Sequence, residues 1–291
     1  MPLKERKTIG TDALKRHLLY VIFSGFLKNE RPLSTLILAH PERGKTTEIM
    51  KFNALGCIVV NDLTAYGLAD IIEKMNETDR RMFHHLVIPD LERIGARSRT
   101  VRKQLLATLQ VAMQEGITKI HTHFTKIECN PPIRLGVVMA TTPTDLGDKR
   151  SVFRRLSFLS RLIPFTYEYS ETRKAQILNF VKDEEHLKTE SFTINKRTKT
   201  EVHISKEMKN NLKFYAIIMA WKIENFASLQ DKQRSAKLIG IRALEDLICY
   251  LKSIALSDRR RVVIDEDFKE FERMFEFFNF DFNDLKYPEE A

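Results

Sequence analysis

Three cysteines, Cys57, Cys129 and Cys249, are too few and too far apart for a disulfide framework, and no two stand in a CxxC spacing. A cysteine-based zinc site is thereby excluded, and a reducing compartment fits. Glycine and proline are sparse, at ten and nine residues, and no internal repeat, low-complexity tract or long linker breaks the chain. Long apolar runs are missing as well. Stretches such as "RHLLYVIFSGFL" break too soon to cross a bilayer, and the charged start "MPLKERKTIG" is not followed by a signal-type apolar segment. The expectation is a soluble, cytoplasmic protein with no membrane partner.

What is present is a hydrophobic content of 43%, enough for one large domain or two coupled smaller ones. The formal net charge is +9 and the isoelectric point is near 9.4. Such a balance favours polyanionic partners, nucleic acid first, although a merely basic surface gives the same sum.

Short apolar runs alternate with longer amphipathic segments: "TLILA" (35–39), "CIVV" (57–60), "LVIP" (86–89), "RLGVVMAT" (134–141) and "LIPFTY" (162–167). This alternation predicts an α/β fold with a parallel sheet and crossover helices, its strands buried on both faces. Beyond Tyr167 the pattern is helical, so an αβα core over 1–167, opening with a helix over about 10–29, precedes a small helical domain over 168–291. Strand-like alternation around a basic turn predicts a hairpin over about 191–204.

The run "LILAHPERGKTTEIM" carries the chemistry. A phosphate-binding loop needs backbone N–H groups at a helix start, a lysine for the terminal phosphates and a hydroxyl for magnesium. Pro41, Glu42 and Arg43 form the loop, and Gly44, Lys45 and Thr46, followed by Thr47, match the end of GxxxxGK(S/T). Ala39 stands where the first glycine is usual, which is tolerated if its φ stays negative. Downstream, "HHLVIPDLERI" ends a strand in Asp90, placed to hold magnesium together with Thr46. The adjacent position is Leu91, and Glu92 comes one residue later. Either Glu92 is the catalytic base on a reshaped loop, or it pairs with Arg93 or Arg97 and hydrolysis is slow.

The order of strand, P-loop, strand, acidic strand, polar-ended strand, arginine-bearing helix and helical lid resembles the AAA+ P-loop ATPases over nearly the whole chain. The resemblance implies ATP and Mg2+ as cofactors and ATP hydrolysis as the activity. It makes Asn61, at the end of "VVND", the polar residue that restrains the catalytic glutamate. Thr142 becomes the sensor of the γ-phosphate, with Thr141 as the near alternative. Three segments are similar to the clade of MoxR-type ATPases and minichromosome maintenance helicases: "LLATLQVAMQEGITKIHTHFTKIE", "FRRLSFLSRLIPFTY" and "GIRALEDLICYLKSIALSDRRRVVIDEDFKEFERM". The first implies a hairpin over about 117–128 before the sensor strand, facing a central channel, where Lys119, His121 and Lys126 could track nucleic acid. His121 and His123 share a strand face, but no third ligand makes them a metal site. The second implies an arginine finger, Arg161 first and then Arg154 or Arg155, which acts on a neighbouring subunit's nucleotide. The third places Arg242 at the sensor 2 position.

The basic cluster "RIGARSRTVRK" (93–103) could serve DNA or a subunit interface. Phe268, Phe271, Phe275 and Phe278 read as the packed face of a last helix, with Phe280 and Phe282 either packed on it or docking a partner. Only about 33 residues precede the P-loop strand, so a bare motor module is expected, not a complete replicative helicase. The implied function is an oligomeric ATPase, a hexameric ring or helical filament, acting on DNA as a helicase-like motor, loader or mobile-element ATPase. The alternatives are a MoxR-type chaperone remodelling a protein partner and an ATP-gated scaffold with weak hydrolysis.

Overall fold

The computed structural model describes residues 4–6, 8–52, 56–77, 83–121, 126–147, 152–183, 189–191, 198–228, 238–280 and 282. Its centre is a five-stranded, wholly parallel sheet built from Thr35–Leu38 (β2), Cys57–Val59 (β3), His85–Ile88 (β4), Gly136–Thr141 (β7) and Ile163–Thr166 (β8), in the order β3-β4-β7-β2-β8. Every residue of β2, β4, β7 and β8 is buried. The apolar runs thus became strands covered on both faces, as parallel sheets require. In the central strands Leu36 pairs with Met139 on one side and Pro164 on the other.

Crossover helices cover the sheet: Asp12–Phe23 (α1), Lys45–Met50 (α2), Ala65–Glu77 (α3), Glu92–Gly95 (α4), Arg99–Met113 (α5), Pro143–Gly147 (α6) and Leu156–Leu159 (α7). The helical part comprises Glu171–Lys182 (α8), Lys206–Ser228 (α9), Ile241–Ser257 (α10) and Asp265–Phe275 (α11). Ser170 begins α8 by accepting the N–H of Arg173 at 3.2 Å, a serine N-cap. Gly240 enters α10 at φ +86°, and a Cβ there would stand 3.2 Å from the carbonyl oxygen of Ala216. Glycine is needed at that position on both counts.

The helices beyond Tyr167 share a continuous core with the sheet. His17 on α1 joins them: its Nε2 lies 2.8 Å from the Thr35 hydroxyl on β2 and its Nδ1 3.0 Å from the Tyr250 hydroxyl on α10. Because Thr35 donates to the carbonyl of Ile163 at 2.8 Å, it accepts from His17 Nε2–H, and Nδ1 accepts from Tyr250. The expected aromatic face of α11 is present, with Phe271, Phe275 and Phe278 buried around Tyr250 and Tyr215. Phe280 is buried and stacks on Phe226, and Phe282 lies against His40. The C-terminal phenylalanines are therefore packed on the parent chain.

Two smaller sheets flank the centre. Ile117–His121 (β5) and Lys126–Ile133 (β6) form the antiparallel hairpin before β7. Lys4–Arg6 (β1) pairs with Thr189–Ser191 (β9). Of the stretch expected as a hairpin over 191–204, residues 192–197 lie outside the described residues. Its described parts pair with other segments: Ser191 with Lys4, Thr200 with Leu27 and His203 with Val262.

Candidate functional site

The loop 39–44 leaves the carboxyl end of the central strand β2 and enters α2. Ala39 is fully buried without a positive φ, so a methyl group is accommodated where glycine is usual. Glu42 and Gly44 do take positive φ, +63° and +78°. The first carries a side chain there at a cost of about 1 kcal/mol, a strain the surrounding contacts must offset. They do so from behind: Tyr167 and Tyr169 both donate to the carbonyl of Arg43, at 2.6 and 3.0 Å, and Arg43 pairs with Glu168. The segment "TYEY" after β8 is thus the brace of the loop. Its alternation of tyrosine and glutamate was the available signal in the sequence.

Lys45 is 9% exposed, and its Nζ donates to the carbonyls of Ala39 at 2.5 Å and His40 at 2.8 Å. Burial, followed by the charge of Arg43, lowers its pKa to about 8, against the opposing pull of Asp90, Glu168 and Asp145. Thr46 and Thr47 are exposed, and Asp90 is half-buried just past β4. Glu48 is fully buried, accepting from Thr11 at 2.7 Å and pairing with Lys51 at 3.0 Å. That ties the chain before α1 to the helix of the loop.

This donor set fits a magnesium nucleotide. One ammonium in the loop suits phosphate, while a hydroxyl and a carboxylate are the hard oxygen ligands magnesium takes along with phosphate oxygens and water. Among the described residues no cluster of three or more His, Cys, Asp or Glu side chains could hold a metal.

The displacement of the acidic residue has a local cause. Leu91 extends the pairing of β4 with β7, its N–H donating to the carbonyl of Ala140 at 3.0 Å, and its side chain is buried in the core. Glu92 is therefore the first residue free to turn outward, and its N–H is taken by the Asp90 carboxylate at 2.9 Å. Arg97 is committed to Asp62, and neither Arg93 nor Arg97 makes an ion pair with Glu92. The Glu92 side chain instead lines a cavity of about 430 Å3 together with Thr141, Asp145 and Arg102. Asp145 and Glu168 fell in no sequence motif, and Arg102 entered only as one member of the basic cluster 93–103.

Thr142 caps α6, donating to the Asp145 carboxylate at 2.5 Å and accepting the Asp145 N–H at 3.2 Å. Thr141 lines the Glu92 cavity, together with Thr144, and Thr142 does not. Asn61 is exposed beyond β3 beside the Asp62–Arg97 pair and makes no hydrogen bond to Glu92.

No family model matches this chain, and no curated protein matches it. The arginines must be read from their placement. Arg154 is buried, with its guanidinium donating twice to the carbonyl of Phe226, at 3.1 and 2.8 Å, and once to Gly147 at 3.1 Å, over the Phe226 ring. It is a structural tie between the core and α9. Arg155 is exposed ahead of α7. Arg161 precedes β8 and therefore lies at the amino edge of the sheet, whereas Lys45 follows the carboxyl end of β2, whose Thr35 pairs with Ile163. The four-residue strand separates the two edges by roughly 13 Å. Burial and then the charge of Arg242 lower the pKa of Arg161. Arg242 donates to Ser160 at 3.4 Å and lines a second cavity of about 430 Å3 with Ser160, Gln114 and Glu245. Arg242 is thus gathered with Arg161, away from the loop 39–44.

In the hairpin, Lys119 and Lys126 flank Glu128, at 2.9 and 3.9 Å, and His121 is exposed opposite Lys126. His123 lies outside the described residues. No helix among the described residues is long and apolar enough to cross a membrane.

Proposed function

We propose that the chain is an AAA+ ATPase that binds Mg-ATP between subunits and couples its hydrolysis to work on DNA. The observation that carries this reading is the division of charge across one sheet. Lys45, Thr46 and Asp90 converge at the carboxyl edge, while Arg161 and Arg242 converge at the amino edge. Neither set alone provides both phosphate binding and charge neutralisation. A second copy presenting its arginine edge to the loop of the first supplies the missing half.

In that arrangement Lys45 contacts the terminal phosphates, and Thr46 and Asp90 hold magnesium, which offsets negative charge on the phosphate oxygens. Glu92 orients and deprotonates the attacking water from the cavity wall, with Thr141 beside it and Thr142 fixing the turn behind. Arg161 and Arg242 stabilise charge on the transferred phosphoryl group from the neighbouring subunit.

The DNA assignment rests on the net charge of +9 and on the lysines of the β5–β6 hairpin. Its test is ATP turnover with and without single- and double-stranded DNA in wild type and in Lys119→Ala/Lys126→Ala. DNA should accelerate the wild type several-fold and leave the double variant at the basal rate; equal stimulation of both removes the hairpin from the reading.

One observation favours a second reading, a chaperone acting on a protein partner. Phe214, Ile217 and Trp221 form an exposed apolar stripe on α9, each more than 60% exposed. Turnover that responds to a protein and not to DNA would support it.

A further inference from the structure

A cavity of about 300 Å3 lies at the amino ends of β2, β4 and β7, which are neighbours in the sheet. Pro32 leads into β2, His84 into β4 and Arg134 into β7, so this space is at the edge opposite the loop 39–44. Pro131, Pro132 and Phe83 supply further apolar wall. Proline rings have a fixed φ and no long side chain to order, so a flat apolar group seated on them costs the protein little freedom.

The charge left on the walls is of one sign. Glu30 is engaged by Lys252, whose Nζ lies 2.5 Å from its carboxylate. His84 is 7% exposed and stays neutral, since burial and then the charge of Lys199 lower its pKa to about 4. Lys199 and Arg134 remain, and both are exposed, so a ligand can reach them. Arg134 gives only its Nε–H, to the carbonyl of Glu115 at 3.2 Å. Neither cation makes an ion pair among the described residues. Although Lys199 is exposed along its length, the protein packed around its ammonium lowers its pKa, and no carboxylate opposes that effect.

An inorganic anion would satisfy the two cations and leave the apolar walls facing water. A neutral ring would cover the walls and leave the cations unpaired. A ligand that uses both has an apolar ring and one anionic group. We propose that this cavity binds a small aromatic carboxylate, with its ring on the prolines and Phe83 and its carboxylate on Lys199 and Arg134. The site is independent of the nucleotide reading, because none of its residues belongs to the loop 39–44 or to the Glu92 cavity. Two exposed cations and one ring set a modest affinity, with a Kd of about millimolar expected.

The test is fluorine NMR line broadening of para-fluorobenzoate, titrated with wild type, Lys199→Gln, Arg134→Gln and Lys209→Gln. On wild type, para-fluorobenzamide serves as the neutral ring and trifluoroacetate as the anion without one. Benzoate should bind wild type about tenfold or more tightly than either comparison compound. Lys199→Gln and Arg134→Gln should each weaken benzoate by about tenfold. Lys209→Gln, which removes an exposed lysine of α9 outside the cavity, should bind like wild type. Benzamide held as tightly as benzoate, an unchanged Kd in either cavity variant, or an equal loss in Lys209→Gln overturns the inference. Thermal unfolding checks that each variant is folded. Should a cavity variant not fold, the wild-type comparison of benzoate with benzamide decides the matter alone.

Discussion

Arg242 stands beside Arg161, its Nη1 3.4 Å from the Ser160 hydroxyl, on the edge of the sheet opposite Lys45. The two guanidiniums repel, the charges of Glu115 on Arg161 and of Asp246 on Arg242 oppose that repulsion, and an anion brought to the pair relieves it further. Arg161→Ala and Arg242→Ala should each lower kcat by about a hundredfold while sparing nucleotide binding by the isolated subunit. Mixing either variant with inactive Lys45→Ala subunits should restore turnover, because each copy then supplies the half the other lacks. ATPase assays on the mixtures check this, and mixtures as inactive as their components contradict it.

Arg154 should behave differently from Arg161 despite lying seven residues away. Its three hydrogen bonds to the carbonyls of Phe226 and Gly147 tie α9 to the core, so Arg154→Ala should lower stability by about 2 kcal/mol or more. Urea unfolding measures that loss, and any fall in turnover should be recovered at lower temperature.

Lys45 carries a pH dependence. Burial lowers its pKa from 10.5 to about 8, and a bound phosphate favours the charged form and raises it again. Above pH 8, nucleotide binding should therefore take up a proton, and affinity should decline as pH rises further. Calorimetry in buffers of different ionisation enthalpy reads the proton directly. Lys45→Arg should abolish the uptake, since arginine stays charged throughout.

His17 sets an acid limit on stability. Burial lowers its pKa from 6.5 to about 3, so the unfolded chain binds a proton there that the folded chain refuses. Its contribution is complete above pH 6.5 and is lost as pH falls towards 3, at up to about 1.4 kcal/mol per pH unit. His84, lowered to about 4, and His85, also depressed, act in the same direction. Urea unfolding at pH 7, 5 and 4 should show a shallower acid slope in His17→Gln than in wild type.

The sheet was legible because its strands are mostly continuous apolar runs: four of the five expected stretches contain their strand, and the fifth, 86–89, misses only its first residue, His85. Lys45, Thr46 and Asp90 could be named because the proposed nucleotide chemistry calls for those residue types at strand ends. Glu92 could be named but not oriented, since its direction depends on Leu91 entering the core. Arg154 and Arg161 look alike in sequence, and only the structure separates Arg154, tied to the Phe226 carbonyl of α9, from half-buried Arg161, which donates to the carbonyl of Ser157 four residues before it. The brace of Tyr167, Glu168 and Tyr169 escaped notice because its partners lie more than 120 residues away. The same distance in sequence hid the His17 link between β2 and α10.

ATP hydrolysis by wild type, Lys45→Ala and Glu92→Gln, with nucleotide binding measured on the same samples, tests the central claim most directly. The proposed site requires Lys45→Ala to lose binding and turnover together. Glu92→Gln should bind like wild type and turn over about a hundredfold more slowly. Full turnover in Glu92→Gln, or undiminished binding in Lys45→Ala, contradicts it.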